Sequence, residues 1–214
     1  MIQNEHIEDY INSLASDLPE ELDNLEQWAL DKKVPIIRKS MQSLLKFLLK
    51  TGKPRNILEI GTAIGFSTLF LDYCTDGKSD ITTIEKVEMR LVHARKNLSG
   101  HSNITLLEGD AADILKSLSV DHTERYDFIF LDAAKGQYPL FLKYITKLIA
   151  KGGILVTDNV LLDGTIAESK FSIERRDRTI HKRMREYLYE LTHSKSFETV
   201  ILPVGDGAAV SVYK

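Results

Sequence analysis

From residue 55 onward, short apolar runs alternate with segments whose apolar residues recur at helical spacing. The runs at 56–60, 81–85, 103–107, 126–131 and 153–157 are rich in Ile, Leu, Val and Thr, which predicts buried parallel strands. The segments 65–73, 87–98, 111–118 and 138–149 between them read as helices. This alternation requires right-handed crossovers, and it predicts a mostly parallel sheet with helices on both faces. Ahead of it, residues 1–50 read as helical throughout. Ile7, Ile11 and Leu14 share a face, as do Leu22, Leu25, Trp28 and Ala29, and then Met41, Leu44, Leu45, Leu48 and Leu49. Pro19 and Pro35 mark breaks or first turns, and Thr51-Gly52-Lys53-Pro54 closes the third helix. After the core, a long helix is expected at about 172–192, with Ile173, Ile180, Met184, Tyr187, Leu188 and Leu191 on one side. Two last strands, 197–202 and 208–213, are joined through Gly205-Asp206-Gly207, a hairpin signal. With no repeat or linker, the expectation is a single domain over 1–214, a helical cap at 1–50 on an α/β core at 55–214.

The runs matter because of the polar residues at their carboxyl ends. Glu59, Glu85, Asp110, Asp132 and the pair Asp158-Asn159 each come just past one run. Ligands of open α/β sheets bind beyond the carboxyl ends of the strands, so these side chains are expected on one rim. Composition adds little: 43% hydrophobic and 28% charged residues with a net charge of −3 describe an ordinary globular chain. A single cysteine, Cys74, rules out an intramolecular disulfide or a cysteine-rich metal site. No apolar run reaches the roughly 20 residues that span a bilayer. The opening MIQNEHIEDY has no basic region followed by an apolar stretch, so a cytoplasmic protein is expected.

The first strand runs into Glu59-Ile60-Gly61-Thr62-Ala63-Ile64-Gly65. Gly61 and Gly65 let the backbone pass close to a ligand and open a helix. Ala63 and Phe66 depart from the dinucleotide fingerprint, and acidic Glu59 would repel a pyrophosphate but suits an ammonium group. Glu85 is placed for both hydroxyls of a ribose, and Asp110 with the Ala111 backbone for an adenine edge. A cation, a ribose and an adenine without phosphate describe S-adenosylmethionine. Taken singly, Glu59 and Glu85 read equally well as solvated strand ends. Ser67 is either a donor to the cofactor carboxylate from a helix N-terminus or a solvent-facing residue.

The stretch Glu59 to Ser67 resembles motif I of the class I methyltransferases, in the form of the metal-dependent O-methyltransferases that include the catechol and caffeoyl-coenzyme A enzymes. The likeness continues through Asp132-Ala133-Ala134-Lys135-Gly136-Gln137-Tyr138, Gly152-Gly153 and Asp158-Asn159-Val160-Leu161. It implies a Rossmann-like fold, and a seven-stranded sheet with an antiparallel C-terminal hairpin and extra N-terminal helices. It further implies that Asp132, Asp158 and Asn159 hold a divalent cation, that Lys135 is the catalytic lysine, and that the protein is a homodimer. The donor set itself suits Mg²⁺, or another hard cation such as Mn²⁺, though Asp158-Asn159 alone reads as an ordinary turn. A cation on the acceptor oxygen stabilises the oxyanion, and a neighbouring amine takes the proton. Tyr138 is either a substrate-side residue or a core aromatic.

Residues 170–185 carry seven basic and two acidic side chains. Arg175, Arg176, Lys182 and Arg183 lie off the apolar stripe of the expected helix, and Lys32, Lys33, Arg38 and Lys39 add positive charge from the N-terminal half. Such a patch is what a phosphate backbone requires, although charge runs are more often solvated faces. The stretches Asp132 to Tyr138 and Val204-Gly205-Asp206-Gly207 are most similar to the bacterial branch that methylates 5-hydroxyuridine at the tRNA wobble position. tRNA is therefore the expected acceptor. A small catechol-like molecule is the alternative. A non-catalytic RNA- or nucleotide-binding module on the same fold is a third reading, disfavoured because Asp132, Lys135, Asp158 and Asn159 are all present.

Overall fold

A computed structural model describes residues 5–121 and 126–214. Strands β1 (Asn56–Ile60), β2 (Asp80–Glu85), β3 (Ile104–Glu108), β4 (Tyr126–Leu131) and β5 (Ile149–Thr157) lie parallel. The antiparallel pair β6 (Phe197–Leu202) and β7 (Ala208–Tyr213) completes one seven-stranded sheet of order β3-β2-β1-β4-β5-β7-β6. The mostly parallel sheet anticipated from the alternation is present, with the Rossmann-like fold that the resemblance implies, and β7 inserts between β5 and β6.

The central strands are apolar without interruption because both their faces are covered. In β1, Ile57 faces one core while Leu58 and Ile60 face the other, and all three are fully buried. The first core packs under α2 (Glu20–Asp31), α3 (Lys39–Gly52) and α4 (Phe66–Cys74), which contribute Ala29, Met41, Leu45, Leu49, Phe66 and Phe70. Met41, Leu45 and Leu49 recur every fourth residue, the spacing that gives α3 its buried stripe. That helix ends where Lys53 turns left-handed and donates its N–H to the Leu49 carbonyl, with Pro54 following. The second core packs under α6 (Ala111–Asp121), α7 (Tyr138–Leu148) and α8 (Arg178–His193), through Leu115, Phe141, Ile145, Met184, Tyr187 and Leu191. Tyr187 closes it by sharing a 2.6 Å hydrogen bond with Thr157. The remaining helices are α1 (Glu5–Ser13) and α5 (Glu88–Asn97). Ile7, Tyr10, Ile11 and Leu14, on and just past α1, stay largely exposed.

Three boundaries differ from the pattern reading. β5 begins at Ile149 and slips register between its Tyr126 and Phe128 pairings, a break that spans Gly152-Gly153. α8 begins at Arg178, well after the expected 172. The Ile173 carbonyl accepts from Arg178 Nε (3.0 Å), while the Asp177 N–H turns back to Glu174, so the first helical bonds never form. Arg175 and Arg176 consequently lie on the preceding turn and not on the helix. Between β5 and that turn, Leu162–Ala167 forms an unforeseen 3₁₀ segment whose Leu162, Asp163 and Gly164 take positive φ. No helix among the described residues is long and apolar enough to cross a membrane.

Strand order reverses between β1 and β4, and the crevice that such a reversal opens lies over Gly61. A Cβ at Gly61 would stand 1.9 Å from the Asp132 carbonyl oxygen, and φ there is +112°. Gly61→Ala should therefore lower stability by about 3 kcal/mol, the combined scale of a left-handed non-glycine residue and an overpacked site. Urea unfolding checks it, and a midpoint equal to the parent's would contradict the close pass.

Candidate active site

Over the carboxyl ends of the strands lies a cavity of about 680 Å³. Its walls come from the loops after β1, β2, β3, β4 and β5, from the β6–β7 loop, and from Pro35–Arg38 of the N-terminal cap. Gly61, Ser67, Glu85, Asp110, Ala111, Asp132, Lys135, Asp158 and Asn159 all line it. The fold thus brings together the residues expected to hold the cofactor and the metal, except Glu59 and Gly65. Gly65 stands behind the wall at the start of α4, where its φ of 91° lets the loop turn into the helix.

Glu85 is nearly buried at the end of β2. The N–H groups of Ala63, Lys86 and Val87 each donate to its carboxylate at 2.9 Å, and Arg90 stands 3.8 Å away. Three backbone donors fix its orientation, which makes it a rigid acceptor for a ligand's hydroxyls. Asp110, expected at an adenine edge, lines the cavity and is held by two partners of its own. Its carboxylate caps α6 through the Ala112 N–H (2.9 Å) and pairs with Lys86 (3.0 Å), which holds its pKa below the usual range. Ser67 sits nearly buried in the first turn of α4.

Glu59 lies beneath the cavity wall. Its Oε2 accepts hydrogen bonds from Thr68 and Thr83, the latter at 2.5 Å, while its buried Oε1 has no partner. Burial raises its pKa to about 7, against the pull of the Ser67, Thr68 and Thr83 hydroxyls. An orphaned, half-titrated carboxyl behind a glycine loop fits a ligand that brings positive charge to the other side of that loop.

The other half of the cavity is crowded with carboxyl groups. Asp158, 5% exposed, has its pKa pushed up to about 7, by burial first and then by Asp132. Burial likewise raises that of Asp132, with Lys135 opposing. Asn159 takes the left-handed conformation (φ 59°) that amide side chains tolerate, and the Asp158 carboxylate accepts its N–H at 2.6 Å. Among the described residues, no three His, Cys, Asp or Glu side chains are arranged to hold a metal on their own. Two mutually repelling carboxyls with an adjacent amide nevertheless fit a hard cation, whose charge would relieve both. Tyr138 is settled as core: fully buried, it packs edge-on against Tyr187 at 5.4 Å and donates to the Asp158 carbonyl.

Asp206 is the site residue that the pattern reading missed. Its stretch reads as a hairpin turn and as part of the family likeness, with no role for the aspartate itself, yet the loop between Leu202 and Ala208 is longer than a tight hairpin needs. The extra length carries Asp206 into the cavity, nearly buried, where it pairs with Lys135 Nζ at 3.4 Å and accepts the Asp163 N–H. Gly207 makes the fit possible, since a Cβ there would lie 2.3 Å from Leu161 Cγ. The flanking glycines were the available signal.

The basic residues disperse. Arg38 lines the cavity and reaches Asp163 at 3.3 Å, and Arg183 donates to the Gly136 carbonyl (2.9 Å) next to Lys135. Arg176 is paired with Glu174 and Asp177, Lys182 with Glu186, and Lys39 with buried Glu26. Lys32, Lys33 and Arg175 are exposed.

Comparison with known proteins places this geometry in context. The family model described as "O-methyltransferase" matches residues 12–213. A caffeoyl-CoA O-methyltransferase from Stellaria longipes is 31% identical over 169 residues, 77% of this chain and 70% of that protein. A solved structure from Staphylococcus aureus, provisionally named a caffeoyl-CoA O-methyltransferase, is 30% identical with a TM-score of 0.87, covering 96% of this chain and 98% of the other. The fold is shared with a Bacillus cereus O-methyltransferase solved with S-adenosylhomocysteine, with 23% identity, a TM-score of 0.83 and coverage of 98% and 97%.

Glu59 yields a pH prediction for S-adenosylmethionine binding. The free protein holds this carboxyl partly protonated near neutrality, and a cationic ligand favours its ionised form. Binding should then release protons, and affinity should rise as pH climbs from about 6 to 8, by at most tenfold per unit. Calorimetry in buffers of different ionisation heat measures the release. If Glu59→Gln keeps the parent's pH slope, the slope belongs to another group.

Proposed function

The chain belongs to the O-methyltransferase family and uses S-adenosylmethionine, and from that premise we propose that it methylates a hydroxyl lying beside a second oxygen, with a divalent cation activating it. The observation that carries this reading is the meeting of half-buried Asp132 and buried Asp158 with Lys135 in the cavity that also holds the pinned Glu85. S-adenosylmethionine supplies an electrophilic methyl group, and Mg²⁺ or Mn²⁺ would supply the positive charge that stabilises an acceptor oxyanion. Asp132, Asp158 and Asn159 would hold the cation. Glu85 would accept hydrogen bonds from the ribose of the methyl donor, and Ser67 would donate to its carboxylate. Lys135, oriented by Asp206, would take the proton from the acceptor hydroxyl as the neutral amine, the form that a neighbouring dication favours.

The acceptor we propose is 5-hydroxyuridine at the tRNA wobble position, which presents O4 and the 5-hydroxyl as an adjacent pair. Arg38 on the cavity wall and Arg183 beside Gly136 support it, as does exposed Arg175. Lys32 and Lys33 extend the positive surface, while Arg176 and Lys182 would have to leave acidic partners to contribute. The catechol and caffeoyl-CoA enzymes among the relatives favour a second reading, a small vicinal-diol acceptor. A homodimer is part of the proposal, because Ile7, Tyr10, Ile11 and Leu14 leave an open apolar face with Phe47 of α3 also exposed.

Three predictions test this. Asp158→Ala should cut turnover about 10³-fold, the scale of several kcal/mol of lost charge stabilisation, while leaving S-adenosylmethionine binding largely intact. Full parent activity in excess chelator would remove the metal. Mass spectrometry of tRNA nucleosides decides the acceptor: deletion of the gene should accumulate 5-hydroxyuridine at the expense of its methyl ether, and an unchanged profile leaves the small-molecule reading. Separately, sedimentation should find a dimer that Ile11→Glu dissociates, and a monomeric parent would end that part.

A further inference from the structure

Phe171 stands out among the side chains that the reaction does not use. It is 78% exposed in the segment joining the 3₁₀ turn Leu162–Ala167 to α8. An apolar ring on a polar loop is unfavourable in water, and the loop gives it no cover. Nor is the loop slack. Two residues on, Ile173 is buried, and its carbonyl accepts from Arg178 Nε at 3.0 Å. The Arg185 guanidinium reaches the Ile166 and Glu168 carbonyls at 3.5 and 3.4 Å, and the Ser172 N–H bonds the Ser169 carbonyl at 2.9 Å. The ring is thus held out from an anchored turn.

A cation stands against it: Lys170 Nζ lies 5.1 Å from the ring centroid, and exposed Arg175 follows in the same segment, while Arg176 is paired with Glu174 and Asp177. Both ends of the segment lead to the cavity. Asp163 lines the wall just before it, and Arg183, early in α8, holds the Gly136 carbonyl next to Lys135. An aromatic face among cations is the arrangement that binds single-stranded RNA, with a base on the ring and phosphates on the cations.

We infer that Phe171 is a stacking platform for the nucleobase adjoining the methylated one, an inference that rests on the tRNA reading. The logic is one of replacement. A uridine whose ring enters a cavity at the rim of a sheet must leave its stack, which strips its neighbour of one partner. Phe171 restores that contact outside the cavity. It is a specificity-determining residue, because it acts on RNA and has nothing to offer a free nucleoside.

The test uses the full-length protein, an anticodon stem-loop carrying 5-hydroxyuridine at the wobble position, and the free 5-hydroxyuridine nucleoside. Phe171→Ala should raise KM for the stem-loop about 10- to 100-fold, the range of one lost base–aromatic stack. Turnover at saturating stem-loop and any rate on the nucleoside should stay at parent values. Phe171→Trp should keep the parent KM, and its fluorescence should be quenched on RNA binding. An unchanged KM in Phe171→Ala with a parent that methylates the stem-loop overturns this inference and leaves the tRNA reading standing. An unquenched Trp overturns it as well, as does a Phe171→Ala variant whose only change is weaker self-association. A parent that leaves the stem-loop unmethylated removes the tRNA reading, and this inference with it.

Discussion

The ends of three strands are tied together at Gly61, and the rest of the site depends on how close they come. The Asp132 N–H bonds the Ile60 carbonyl, while the N–H groups of Gly61 and Thr62 share the Ile84 carbonyl, so β1, β2 and β4 finish at a common level. With no side chain at Gly61, the loop passes against the Asp132 carbonyl and turns at once into α4. Glu85 and Asp132 then flank one loop, and that loop's Ala63 N–H helps to fix Glu85. A larger residue would separate the two strands and, with them, the two halves of the cavity. Glu85 and the acid cluster are held in register by these backbone contacts.

A second constraint is electrostatic. Asp132, Asp158 and Asp206 gather near a single ammonium group, that of Lys135, and each of the three is nearly buried or stands at the base of the cavity. Burial and mutual repulsion both oppose ionisation of Asp158. Buried like charges cost stability, and the fold holds them by backbone contacts that leave little freedom: Tyr138 donates to the Asp158 carbonyl, and the Val160 and Leu161 N–H groups bond the Gly207 and Asp206 carbonyls. A site built this way is poised to gain from a cation, since each carboxyl it neutralises removes a penalty the protein already bears.

How far the sequence discloses this depends on the range of the interactions. Strand ends were legible, because the apolar run and the polar residue after it are neighbours in the chain; Glu85, Asp132, Asp158 and Asn159 were found in this way. Glu59, expected at the ligand, lies behind the cavity wall, since β-strand alternation turns it under α4 toward Thr68. The start of α8 was misplaced because Ile173 keeps helical spacing while a side chain, Arg178, captures its carbonyl. Asp206 was hidden because its role depends on Lys135, 71 residues away. Arg176 and Lys182 pair with acids within four residues of them in the chain, so the basic run is offset by contacts as local as the strand ends.

The two halves of the cavity also differ in how they are supported. Glu85 and Asp110 stand at the ends of parallel strands, tied to backbone groups within their own loops. On the acceptor side, the segment 159–164 departs from regular structure, with Asn159, Leu162, Asp163 and Gly164 all at positive φ. What keeps it in place is Asp206, whose carboxylate takes the Asp163 N–H while also pairing with Lys135. Loops vary more readily than the strands that carry them, so a family can keep its methyl donor on the sheet and alter its acceptor through such segments. Relatives near 30% identity that share this fold but need not share an acceptor are what that division of support produces. The residues that select an acceptor are then to be sought in 159–177 and the β6–β7 loop, which Asp206 joins through the Asp163 N–H.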